Sequence, residues 1–371
     1  MDRLLRGGAL ALLSLALLST GCMGGVKLQV LASAPVTVPP SVQKVAVVDR
    51  STPRNAGQGF LDALEGALTG EDIMADRDGA QAAVQAVERA LIDSPRFEVV
   101  GAPGLSRRDL ESSPDDRPAS WPLIDRICKQ AGCDGVVSLE MFDSDTGGIQ
   151  FPSTQASSGS SSQNVRGSRE ARVTVTIRFY DARQHQVVDE MVRRRIDETF
   201  TAEGETPEQV RNNLANVRSQ LTKLGQEVGA AYGRRVAPSY VWVSRSYYTR
   251  GHPLLQDAKR HVRASDWAGA VRIWSQLAGE TGDPKLKGKA HFNLALASER
   301  TGDLDHAVEL AQQAAVELAN GRARSYQTAL ERRRADARRL DAQMETAQPA
   351  PAAPTTPQPV QPTQPAGRGP L

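Results

Sequence analysis

Acidic pairs, histidines and cysteines are the side chains of this sequence with the means to do chemistry, and their spacing limits what each can support. Asp143-Ser144-Asp145 sets two carboxylates either side of one serine. Calcium takes roughly six to eight oxygens and no complete loop motif follows, so the triplet reads as a strand running into a solvated turn. Asp76-Arg77-Asp78-Gly79 fails the same test and reads as a helix entry. Of the five histidines, His252, His261, His291 and His306 lie in or just before the C-terminal third, without metal-ligand spacing and without a neighbouring nucleophile. There is no Gly-x-Ser-x-Gly elbow, no phosphate loop and no His-Glu-x-x-His. The expectation is a protein that is not an enzyme and carries no metal or other cofactor. An enzyme would have to assemble its site from scattered residues, for which a cleft between domains is the place.

Three cysteines occur. Cys22 closes Leu17-Leu18-Ser19-Thr20-Gly21-Cys22, behind the apolar stretch Gly7 to Leu18 and the basic Arg3 and Arg6. That is the architecture of a secretory signal, too short to span a bilayer as a helix, and its ending is that of a bacterial lipoprotein, with Cys22 the residue that is acylated. Cys128 and Cys133 then remain as a pair in an oxidising compartment. On a continuous helix their spacing holds the sulfurs out of reach, which favours two buried thiols. A bridge requires Gly132 to end the helix and turn Cys133 back.

Lysine and arginine total 45 against 43 for aspartate and glutamate, a balance that argues against a general nucleic-acid binder. The densest basic runs are Arg193-Arg194-Arg195 and Arg332, Arg333, Arg334, Arg338 and Arg339. Solvated strand and helix faces account for both, while a partner with acidic groups, peptidoglycan and lipid headgroups included, stays open. Arg332 and Arg333, together with Trp267 and Trp274, are the partner-binding candidates, although the tryptophan pair is most simply a repeat core.

These residues need elements to hold them. Lys44 to Asp49 is a β-branched run that reads as a buried strand. Ala80, Ala83, Val84, Val87 and Leu91 share a helical face that Asp93-Ser94-Pro95 stops. Phe97 to Val100 resumes as a strand, Ser120 opens a helix carrying Trp121, Ile124, Ile127, Cys128 and Ala131 inward, and Gly135 to Phe142 is another strand. Beyond a Ser/Gly loop from Asp143 to Ser168, alternation along Arg172 to Phe179 predicts a strand with one wet face, paired in a hairpin with Gln186 to about Phe200. Thr206-Pro207-Glu208-Gln209 starts one long helix striped by Val210, Leu214, Val217, Leu221, Leu224, Val228 and Ala231. Helices packed on a mixed sheet make an α+β sandwich.

Farther on, Ser265-Asp266-Trp267-Ala268-Gly269-Ala270-Val271 returns as Gly302-Asp303-Leu304-Asp305-His306-Ala307-Val308, each between two helical patterns. This resembles the tetratricopeptide repeat, a helix-turn-helix unit. Two copies fall short of the three that stability usually needs, so a helix from about Ala323 to Leu340 is expected to close one end and the α+β domain the other. The expected organisation is a signal peptide over 1–21, a lipidated tether over 22–40, an α/β sandwich over 41–250, an all-α tetratricopeptide-like module with capping helix over 251–345 and a disordered proline-rich tail over 346–371.

Four stretches carry a wider resemblance: Pro35 to Pro40 leading into Lys44 to Ser51, Ile127 to Gly135, Val243 to Tyr248, and Ala258-Lys259-Arg260 through Trp267 to Ala270. In that order they are similar to an uncharacterised bacterial lipoprotein family bearing a domain-of-unknown-function label. At fold level the element order is similar to the periplasmic domain of the curli-secretion channel lipoprotein and of the lipoprotein activators of peptidoglycan synthases. The resemblance implies a periplasmic, outer-membrane location, since Met23 stands where an inner-membrane retention aspartate would. The repeat, the absent catalytic motifs and the tether point to a protein-binding scaffold or adaptor among other envelope proteins, while the fold resemblance implies a regulator of cell-wall synthesis or of an envelope secretion or assembly machine. The Ser/Gly loop lacks the alternating apolar band of a barrel strand, which argues against a pore.

Overall fold

The computed structural model describes residues 23–51, 70–102, 109–110, 116–152 and 164–345. The signal, Cys22 and the proline-rich tail lie outside the described residues.

An α+β domain comes first in the core of the fold. Its five-stranded sheet has the order β3-β2-β4-β5-β6, built from β2 (Lys44–Asp49), β3 (Glu98–Val99), β4 (Gly135–Thr146), β5 (Val165–Asp181) and β6 (Gln186–Gly204). β2 runs parallel to β3 and β4, and β4, β5 and β6 form an antiparallel meander. Helices α1 (Gly70–Ile92) and α4 (Val217–Val236) cover one face over Val45, Val137, Leu139, Val175 and Ile177. Helix α2 (Trp121–Ala131) covers the other over Ala46, Val48, Val136 and Tyr180. Each side chain alternates between these two cores because a strand repeats every second residue.

The expected long helix is two. Helix α3 (Pro207–Leu214) ends, Asn216 accepts a hydrogen bond from Ser219 N at 2.9 Å, and α4 starts anew. An asparagine that bonds the backbone three residues on is a better cap than helix interior. The wet face expected of β5 is also covered: Thr176 and Arg178 are buried, because residues 116–120 cross it and Asp116 accepts from Thr176 Oγ1 at 3.1 Å. β4 runs on through Asp143 to Thr146, and β5 already begins at Val165, so both ends of the expected Ser/Gly loop are strand.

Five helices follow: α5 (Pro253–Arg263), α6 (Trp267–Glu280), α7 (Pro284–Thr301), α8 (Leu304–Leu318) and α9 (Gly321–Met344). Asp266 and Asp303, the two aspartates of the sequence repeat, cap α6 and α8 by accepting from Gly269 N and His306 N at 2.8 and 3.1 Å. The fold is thus an α+β domain with a helical repeat module.

The largest departure from expectation is at the N-terminus. Residues 23–32 form β1 (Met23–Ala32) rather than a tether, paired antiparallel with β7 (Ser239–Tyr248) as a separate two-stranded ribbon. Leu28, Val30, Tyr247 and Tyr248 join the core of the helices, so the ribbon packs on the helical module and chain before residue 251 contributes to its core. Chain from both sides of the α+β domain builds it. After β1, Ala34 is held by Gln343 of α9 through two 2.8 Å hydrogen bonds, and Val36 N donates to Arg235 O at 3.0 Å.

Candidate functional site

Helix α4 carries Gly225, Gly229 and Gly233 on one face, four residues apart and therefore one above another. A Cβ on Gly225 would stand 2.1 Å from Gly79 O, one on Gly229 2.1 Å from Ala83 O, and one on Gly233 2.3 Å from the Ala90 Cβ. The bare line lets α1 and α4 lie backbone against backbone, in parallel. Their C-terminal turns then present two neighbouring stripes to one side, Ala86, Arg89, Ala90 and Asp93 on α1 and just after it, Gln226, Ala230 and Arg234 on α4.

The ribbon supplies the opposing wall. Its inner face, Leu28, Val30, Val241 and Val243, packs on the helices. Its outer face alternates with that one and carries Gln29 directly opposite Trp242, with Tyr240 two residues away. Between these walls lies a cleft of about 620 Å³ lined by Gln29, Ser239, Tyr240 and the two helical stripes. Pockets of this size at the seam between domains are typical of ligand sites.

The cleft has a small-residue floor, two guanidinium groups, one carboxylate, two amides and a phenol. Arg89 and Arg234 form no ion pair among the described residues, and both sit in the last turns of their helices, where positive charge is favoured by the helix dipole. Tyr240 and Trp242 remain 54% and 66% exposed. Large aromatics left uncovered beside unpaired arginines are the composition of a binding surface. Among the described residues no histidine, cysteine or second carboxylate lines the cleft.

The residues singled out from sequence fall elsewhere. Trp274 is fully buried, packed edge-on against Trp267 and Tyr247, and is core rather than a partner contact. Trp267 is half-buried, with the Arg300 guanidinium 4.9 Å above its ring. Arg333 is also unavailable: it donates to Glu299 at 2.7 Å, beside Arg245 at 2.8 Å and the Tyr326 hydroxyl at 2.8 Å. Arg332 is exposed. Cys128 and Cys133 are joined by a disulfide, because Gly132 adopts φ 70° and ψ 36° and folds Cys133 back over the end of α2. The two-thiol reading assumed a helix continuing through Gly132.

Asp145 meets Arg172 at 3.4 Å and the Ser144 hydroxyl donates to Asp76. Among the described residues no group of three or more metal-capable side chains gathers. His185 stacks on Trp121 at 5.1 Å, His261 meets Asp266 and His291 meets Glu317, both at 2.7 Å. Sequence reading missed Tyr240 and Trp242. The signal was present in the alternation Tyr240-Val241-Trp242-Val243-Ser244, which places aromatics on one face and valines on the other.

A family model described as Domain of unknown function (DUF8603) matches residues 42–248, more than half of the chain. The chain belongs to the DUF8603 family. Its matched region stops at Tyr248, the last residue of β7, and a second model, Domain of unknown function (DUF6340), matches residues 256–332 within the helices. No curated protein matches. Among solved structures this DUF8603 member is similar to a PelC dodecamer from Paraburkholderia phytofirmans, at 13% identity over 57% of this chain and 99% of that one, with a TM-score of 0.21. It is likewise similar to a putative neuraminyllactose-binding hemagglutinin homolog from Helicobacter pylori, at 11% identity over 54% and 91% of the two chains, with a TM-score of 0.22. At such scores neither likeness bears on function.

Proposed function

We propose that this protein is a lipid-anchored, non-catalytic adaptor of the bacterial envelope, whose cleft holds an extended acidic segment of a partner protein. The observation that carries the reading is the exposed Tyr240 lining the cleft with the unpaired Arg89 and Arg234, continued along the same ribbon face by the exposed Trp242. Guanidinium groups take carboxylates in two-point contacts, and the aromatics supply rigid apolar area. Anchoring rests on the signal that ends in Cys22 and on the absence, among the described residues, of any helix long and apolar enough to cross a membrane. An outer-membrane address follows from Met23 after the acylated residue.

A photo-crosslinking amino acid at position 242 in the native envelope tests the partner. A specific protein adduct that disappears in Arg89→Glu/Arg234→Glu, with the fold retained, is expected; an adduct indifferent to both charges sinks the reading. A peptidoglycan contact is the second reading, favoured by planar Tyr240 and Trp242 beside Gln29 and Gln226, groups that stack on sugars and bond their hydroxyls. Retention on purified sacculi that Trp242→Ala abolishes would select it. For the anchor, Cys22→Ser is expected to leave the protein folded and released from membranes by high salt, and quantitative recovery of that variant in salt-washed membranes would overturn it.

A further inference from the structure

The ribbon and α7 run antiparallel and in step. Arg245 pairs with Glu299, the Tyr248 backbone is bonded at both polar atoms by Asn293 at 2.7 and 2.8 Å, and Arg250 O accepts from Lys289 Nζ at 3.4 Å. Met23 is the register partner of Tyr248, so the residue next to Cys22 lies level with Asn293. The first turns of α7 continue past it: Lys285 stands about 12 Å farther along at the rise of a helix. Lys285, Lys287 and Lys289 share this end with Arg250 and, through the 3.4 Å contact of Asn320 with the Tyr248 hydroxyl, with Arg322 and Arg324 at the start of α9. Among the described residues its acidic groups are fewer and engaged: Asp283 caps α7, Glu317 is taken by His291, and Glu280 meets Gln276.

We infer that this basic end is the membrane-facing surface, with the lysines of α7 resting on anionic phospholipid headgroups. The inference rests on acylation at Cys22, which would put the lipid one residue beyond Met23 and leave no spacer to lift this end away. A basic patch beside a lipid anchor adds electrostatic attraction to anionic lipid. Each lysine or arginine near an anionic surface adds to the attraction, which decays within a Debye length.

The test uses the full mature chain carrying Cys22→Ser, so that no acyl chain contributes. Co-sedimentation with vesicles of phosphatidylcholine alone is compared with vesicles also containing phosphatidylglycerol. Binding only to the second, abolished by high salt and weakened at least about tenfold by Lys285→Glu/Lys287→Glu/Lys289→Glu, is expected. Lys285→Glu alone, at an exposed position, should give a smaller loss without risk to folding. Equal binding to both vesicles, or binding untouched by either variant, overturns the inference. Acyl labelling of Cys22 in cells is read separately, so failure of the anchor and failure of the surface are distinguishable.

Discussion

Glu140 in the sheet and Glu299 in the helical module are both fully buried, and they answer burial in opposite ways. Burial pushes the Glu140 carboxyl above the ordinary range, with Arg50 and the Tyr180 hydroxyl, at 2.7 Å, opposing it only in part. Burial works on Glu299 in the same sense, yet the hydrogen bonds and charges of Arg245 and Arg333, with Tyr326, overcome it and hold Glu299 below the ordinary range. The difference is that two guanidiniums hydrogen-bond Glu299, whereas of the two that act on Glu140, Arg50 bonds it and Arg178 acts only through its charge. Those two bonds make Glu299 the charge that joins β7, α7 and α9, whereas Glu140 sits at the balance point between desolvation and pairing.

Removing Glu299 is therefore the largest perturbation expected. Glu299→Ala strands Arg245 and Arg333 and should cost about 3–5 kcal/mol, seen as an earlier denaturant midpoint; a loss equal to that of Glu140→Ala would erase the contrast. Next is Gly229→Ala, whose methyl would meet backbone at Ala83 O. Parting α1 from α4 should cost about 1–3 kcal/mol and collapse the cleft, so loss of the crosslink at 242 must accompany it. Cys128→Ala/Cys133→Ala releases a short loop and should cost about 2 kcal/mol, confined to the sheet domain, which calorimetry would resolve.

The smallest and most diagnostic effect is in pH. Glu299, with its folded pKa lowered, contributes stability that is present above the unfolded value of about 4.3 and is lost as pH falls through the folded value. Glu140, with its folded pKa raised, has the reverse slope: its penalty at neutral pH is relieved as pH falls through the folded value. Glu299→Gln and Glu140→Gln should change the acid limb of the stability curve in opposite directions. Two changes of the same sign would refute the assignment.

Much of the fold was legible in sequence because periodicity reports burial directly. The strands from Lys44, Gly135 and Val173, the stripe of Leu255, Ala258 and Val262, and the Asp266 and Asp303 caps each follow from local pattern. What was not legible depended on distant chain. Val26 to Ala32 looks like a tether until Ser239 to Arg245 is placed beside it, and Thr176 and Arg178 look solvated until Asp116 arrives across them. Arg333 looks like a surface charge until Glu299 is known to be buried beneath it. The cleft was hidden for the same reason: Arg89, Arg234 and Tyr240 are unremarkable singly, and only the glycine line of α4 brings them together.

The pairing of β1 with β7 has a temporal consequence. The strand that begins at Met23 is made first, but its partner is separated from it by the whole α+β domain, which makes that domain an insert within the module it precedes. A chain emerging N-terminus first can complete the insert while β1 still waits unpaired, and only the last helices offer Leu28 and Val30 their core. Closing so long a loop is slow, so the waiting strand is the interval of greatest exposure to mispairing, and its capture by β7 marks the end of assembly.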